Sequence, residues 1–304
     1  MAESFSKRLT DAVLRRHNPV VVGLDPRFAN LPFGLTEGVN ERDRSAVASA
    51  YLKFCRGVID VVAPLVPAVK PQAAFFEQLG PAGMTVLEAT VRYAREKGLL
   101  VILDGKRNDI GSTAIAYAEG YLGPPDSSSW GADALTVSPY LGDDSLTPFM
   151  DVAVARGAGI FVLVKTSNPG GATFQDLVAQ QQPVYRHVAD WVQRQAAATA
   201  GTDRYGCVGA VVGATWPEQL AELRQAMPQA WLLVPGFGSQ GGGPEDVRGA
   251  LDQGGLGALI NSSRAIIFAH SRPEYKDQYG DAQWQRAVEE AALEMIQQMR
   301  TVIP

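Results

Sequence analysis

Leu99-Leu-Val-Ile-Leu-Asp104-Gly-Lys106-Arg-Asn-Asp109 passes from five consecutive apolar residues straight into two carboxylates around one ammonium. A short, unbroken apolar run without alternation reads as a parallel strand buried on both faces. The charges then fall where that strand ends and the chain turns. Charged groups gathered at the carboxyl end of a buried strand are poor packing and good chemistry, so the reaction is expected here.

Working outward, the same succession of short β-branched run, polar or glycine-rich turn and helical pattern recurs along the chain. Strands are expected at 20–25, 66–70, 99–104, 132–138, 159–165, 207–212, 231–234 and 257–261. Helical patterns occupy 41–63, 81–97, 112–121, 144–156, 175–198, 216–226, 244–253 and 282–300. In the last, Trp284, Val288, Ala291, Met295 and Met299 form a stripe expected to pack on the body of the fold. Eight βα units without a Pro- or Ser-rich linker predict an α/β fold, a single (β/α)8 TIM barrel over residues 1–304 with extended loops and a C-terminal helix. A doubly wound sheet is the alternative, but the first strand leads into Gly23-Leu-Asp25-Pro-Arg and not into GxGxxG.

In such a barrel the functional groups lie at the strand carboxyl ends. Those ends carry Asp25, Lys70, Asp104 with Lys106, Ser138, Lys165 through Asn168, Thr215, the loop 235–243, and Ser262 through Arg264. The loop Pro235-Gly-Phe-Gly-Ser-Gln240-Gly241-Gly-Gly-Pro244 can converge backbone N–H groups on an anion. Asn261-Ser-Ser-Arg264 reads as a helix opening with a guanidinium beside it, suited to phosphate oxygens. Because these follow the seventh and eighth strands, a phosphorylated ligand is expected.

The bulk properties narrow the partners. The 304 residues carry a formal net charge of −5, which gives no basic footprint for nucleic acid or anionic lipid. Cys55 and Cys207 are far apart and in no metal or redox spacing, as for two reduced thiols. Met1-Ala-Glu-Ser-Phe-Ser-Lys-Arg lacks an apolar signal region, and no run of about 18 apolar residues exists, so a cytoplasmic protein without membrane contact is expected. His17, His187 and His270 are scattered away from strand ends, which disfavours a Ser-His-Asp triad or a histidine metal site. A lysine between carboxylates stays protonated, unsuited to Schiff-base chemistry and suited to proton donation to a carbanion.

These residues resemble the orotidine 5′-phosphate decarboxylase family, and specifically its longer bacterial (type 2) subgroup. The resemblance rests on Asp104-x-Lys106-x-x-Asp109-Ile110-x-x-Thr113, with Gly23-Leu-Asp25, Lys70-Pro-Gln, Ser138-Pro-Tyr, Lys165-Thr-Ser-Asn168-Pro-Gly, Pro235-Gly-Phe-Gly-Ser-Gln-Gly-Gly and Arg264 in order. It implies cofactor- and metal-independent decarboxylation of orotidine 5′-monophosphate to uridine 5′-monophosphate. Lys106 would give the proton to C6, Asp104 would face the scissile carboxylate, and Lys70 and Asp109 would complete an alternating array. Asp25 and Lys70 would contact the ribose and Ser138 the pyrimidine. Pro235, Gln240, Gly241 and Arg264 would surround the phosphate, and Asn168 would line the site. Asp109 and Thr113 would reach the neighbouring subunit's site, implying a homodimer. The rivals are metal-dependent sugar-phosphate decarboxylases and aldolases of the same barrel suprafamily. These are similar around DxKxxD but carry a glutamate two positions before the first aspartate, where this chain has Ile102.

Overall fold

The computed structural model describes residues 3–238 and 242–303. Eight strands close into one parallel barrel in sequence order: β1 Val20–Leu24, β2 Ala68–Pro71, β3 Leu100–Arg107, β4 Ala134–Val137, β5 Gly159–Lys165, β6 Val208–Val212, β7 Leu232–Pro235 and β8 Ala258–Ser262. β8 pairs with β1 through Val20 and Ile260, which leaves no barrel edge unpaired. All eight expected strands are present, each within a few residues of its expected bounds. Among the described residues no helix is long and apolar enough to cross a membrane.

The chain begins with α1 Phe5–Arg16, which the strand and helix patterns above did not include. The other long helices are α2 Arg44–Val62, α3 Pro81–Glu96, α4 Gly111–Tyr121, α5 Thr147–Arg156, α6 Val184–Ala200, α7 Pro217–Ala226 and α9 Trp284–Arg300, while α8 Pro244–Arg248 stops five residues short of the helix expected over 244–253. The helix expected over 175–198 is a correction. A helical turn Ala172–Gln175 leads into an antiparallel hairpin, Val178–Ala179 with Gln182–Pro183, and α6 starts only at Val184. Pro183 lacks an N–H and so sits just before the helix, while Gln180 and Gln181 at the hairpin tip take positive φ.

Two apolar layers hold the assembly. The larger lies between strands and helices, and includes Phe54, Ile59, Leu87, Val101, Leu103, Val162 and Leu220. The smaller fills the barrel interior with Val21, Ala68, Ile102, Phe161, Leu233 and Leu259. Helix α1 closes the barrel floor, placing Phe5, Leu9 and Val13 in that interior layer, with Phe5 edge-on to Phe161 at 6.0 Å. Its Arg8 donates to Asp133 just before β4 at 2.6 Å and to the Gly157 carbonyl just before β5 at 2.9 Å. On the outer flank, α9 buries Val288, Ala291, Met295 and Met299, and Trp284 lies 5.2 Å from Phe54 of α2. The expected stripe is therefore the packed face.

Candidate active site

The strand carrying the decisive motif runs further than expected. β3 continues through Arg107, and its register against β4 shifts between Leu103 and Arg107. Lys106 sits in that irregularity with φ of 45°, a left-handed backbone that costs a non-glycine residue roughly 1–2 kcal/mol. The bulge, and not simple alternation, returns the Lys106 side chain to Asp104, and the Lys106 N–H donates to Thr136 Oγ1 at 2.9 Å to hold the turn. Arg107 points away and bonds Glu77 and Tyr121.

Around Asp104 two ammonium groups share a single carboxylate. Lys70 Nζ donates to Oδ2 and Lys106 Nζ to Oδ1, both at 2.6 Å. Thr136 Oγ1 adds a donor to Oδ1 and Gln72 Nε2 one to Oδ2, each at 3.0 Å. Four donors on two oxygens leave this carboxylate fully engaged. Lys70 comes from β2, Thr136 from β4 and Gln72 from just past β2, all adjacent to β3 in the closed sheet. Lys70 and Asp104 are buried, while Lys106 is half exposed.

Burial alone would raise the pKa of Asp104, but the positive charges of Lys70 and Lys106 outweigh it and hold the carboxyl far below its usual range. Burial likewise pulls Lys70 down, and the negative charges of Asp104 and Asp25 overcome it and raise the ammonium above its ordinary value. The depressed Asp104 contributes stability that is present above about pH 3.9 and lost as pH falls through its folded value. The raised Lys70 contributes stability that is present below about pH 10.4 and lost as pH rises through its folded value. Urea unfolding should therefore show the stability gap between the native chain and Asp104→Asn wide at pH 7 and narrowing below pH 4. A gap that widens on acidification would contradict this charge arrangement.

The array lies on one side of a cavity of about 650 Å³ at the strand carboxyl ends, a size ordinary for a small-molecule site. Of the expected residues, Asp25, Lys70, Asp104, Lys106, Asn168, Pro235 and Arg264 line it together. Ser138 lies just past β4 and Asp109 beyond β3, and neither is among the lining residues; Thr113 of α4 lines a separate shallow hollow with Tyr117, Tyr121 and Trp130. Asp109 is not a helix cap, because its carboxylate accepts from its neighbour's N–H at 2.8 Å and α4 follows Ile110. Gln240 and Gly241 lie outside the described residues.

Gly236 and Gly238 take φ of 103° and 75°, as the glycine-rich loop after β7 was expected to allow. The helix expected after Asn261 spans only Arg264–Ile267, too short for a substantial dipole, so an anion there relies on the guanidinium and loop N–H groups. Gly23 is required for close approach, since a Cβ there would sit 1.8 Å from Ser263 Oγ. Gln72, Thr136, Thr166, Phe174, Gln175 and Asn261 also line the cavity. Thr166 falls within the strand-end stretch Lys165 through Asn168 expected to be functional, and Gln72 and Asn261 lie inside quoted segments without a site role, while Thr136, Phe174 and Gln175 carried no signal in the sequence.

A closed parallel barrel that gathers lysines and carboxylates in a cavity at its strand carboxyl ends defines a (β/α)8 barrel enzyme. The sequence model described as Orotidine 5′-phosphate decarboxylase / HUMPS family matches residues 19–277, and the chain belongs to that family. It is 56% identical over 299 residues to an orotidine 5′-phosphate decarboxylase of Rhodopirellula baltica, covering 98% of this chain and 99% of that one. A solved structure of a candidate orotidine 5′-phosphate decarboxylase from Streptomyces avermitilis superposes with TM-score 0.81 at 36% identity, covering 99% of this chain and 96% of the other. The Leishmania donovani OMP decarboxylase structure gives 0.75 at 32% identity, with 98% of each chain covered.

Proposed function

We propose that this chain converts orotidine 5′-monophosphate to uridine 5′-monophosphate and carbon dioxide, the last step of de novo pyrimidine nucleotide synthesis, without cofactor or metal. The observation that carries the reading is the Lys70–Asp104–Lys106 array, with each ammonium 2.6 Å from one carboxylate oxygen. Breaking the C6–carboxylate bond leaves its electron pair on C6. The half-exposed Lys106 ammonium stabilises that pair and then transfers a proton to C6, while carbon dioxide departs. Lys70 and Asp104 hold Lys106 in place before the reaction, so little reorganisation is needed as charge develops.

Asp25 and Lys70 serve the ribose, Ser138 and Asn168 the pyrimidine end, and Pro235, Gln240, Gly241 and Arg264 the phosphate. The active form is a cytoplasmic homodimer in which Asp109 and Thr113 act in the partner's site. Their positions outside the cavity lining, beside the exposed Ile110 and Ile115, suit an interface role.

The rival metal-dependent sugar-phosphate reading implies a glutamate two positions before Asp104, and the residue there is Ile102. Its apolar side chain is fully buried in the barrel interior and supports the metal-independent reading. Turnover of orotidine 5′-monophosphate should therefore proceed unchanged in metal-stripped buffer containing EDTA. Loss of activity restored by magnesium would refute the assignment.

A further inference from the structure

Lys165 stands at the end of β5 with a side chain only 1% exposed, yet the cavity is not lined by it. Its ammonium is ion-paired with Asp176 and lies 5.5 Å from the centre of the Tyr185 ring and 5.2 Å from that of Trp216. The chain between Lys165 and Asp176 does line the cavity, through Thr166, Ser167, Asn168, Phe174 and Gln175. It is tied at its base. Thr166 N–H donates to Gln175 Oε1 at 3.0 Å, and Gln175 Nε2 donates to Thr166 Oγ1 at 2.8 Å. Two bonds from the next strand's loop fasten the near end: Trp216 Nε1 to the Thr166 carbonyl and Thr215 Oγ1 to the Ser167 carbonyl, both at 3.2 Å. Among the described residues no side-chain bond fastens the tip, and Phe174 is 64% exposed although it borders the cavity.

We propose that Lys165 is a positioning residue whose ion pair with Asp176, seated between Tyr185 and Trp216, clasps segment 166–176 over the cavity and sets its affinity for the base end of the substrate. The inference rests on the decarboxylase reading for the choice of ligand. β5 lies opposite β1 and three strands from β8 in the closed barrel, so the segment rises from the wall facing Arg264, on the side where the base is proposed to lie. A lysine retained in so dry a slot carries a desolvation cost that a methionine would not. Asp176, 39% exposed, can be hydrated once its partner is gone. Removing the ammonium should thus release the segment while sparing the fold.

Lys165→Met tests this. The KM for orotidine 5′-monophosphate should rise ~10-fold or more, because only a fraction of molecules hold the binding-competent segment, while kcat changes less than about 2-fold. The thermal midpoint should stay within about 3 °C, and inhibition by ribose 5-phosphate, which lacks the base, should be unaltered. Adding Asp176→Asn to Lys165→Met should produce no further change, since the two act as one pair. Chymotryptic cleavage after Phe174 or Leu177 should accelerate in Lys165→Met, a readout independent of substrate. Unchanged KM and cleavage rate would overturn the proposal, as would a collapse of kcat at constant KM or an equal loss of ribose 5-phosphate inhibition. If the native chain fails to turn over orotidine 5′-monophosphate, the decarboxylase reading falls, and the cleavage rates alone decide the clasp.

Discussion

Lys106→Ala is expected to lower kcat by at least ~10⁴-fold, since it removes a proton donor and a preorganised charge at once. Binding of a 6-substituted uridine monophosphate should persist, because the rest of the cavity wall is untouched. Folding should survive too. Lys106 is the half-exposed member of the array, and Asp104 retains Lys70, Thr136 and Gln72 as donors. The left-handed backbone at Lys106 is no easier for alanine, so no strain is relieved. Single-turnover kinetics beside calorimetric titration separates the two effects. Turnover within about 10²-fold of the native chain would exclude Lys106 as the sole donor.

Asp104→Ala has the second large effect, and it falls on stability as well as rate. Lys70 is 4% exposed, and without Asp104 its ammonium is buried with its closest counter-charge gone. Breaking a buried pair from one side costs about 3–5 kcal/mol, a large part of the stability of an ordinary domain. Urea denaturation of Asp104→Ala should show this loss, and Asp104→Leu combined with Lys70→Met should recover most of it without restoring turnover. Equal stability of Asp104→Ala and the native chain would mean that the pair does not hold the strand ends together.

The barrel itself was legible because buried parallel strands announce themselves as short apolar runs, and all eight were found. The site was legible at strand ends for the same reason. What spacing could not show was lateral neighbourhood. Lys70 and Asp104 are 34 positions apart, and only closure of β2 against β3 makes them partners. Spacing along the chain alone shows two carboxylates around a lysine; Lys70 enters the array only through the family resemblance, and the fold sets it beside Asp104. Thr136 and Gln72 were missed because neither residue type is unusual, and each acts only through its neighbour strand. Pro183 was the available signal against a helix over 175–198, and Phe5, Leu9 and Val13 were the signal for α1.

The floor helix also has consequences for how the chain reaches this state. α1 leaves the ribosome before any strand, yet its Arg8 anchors on Asp133 and Gly157, 125 and 149 residues later. Until the strands that line the barrel interior have closed, its apolar face has no complete layer to cover. Contacts of such sequence separation form late, after the loop-closure entropy has been met. An element synthesised before every barrel strand is thus among the last to dock, and its apolar face stays uncovered on the nascent chain until then.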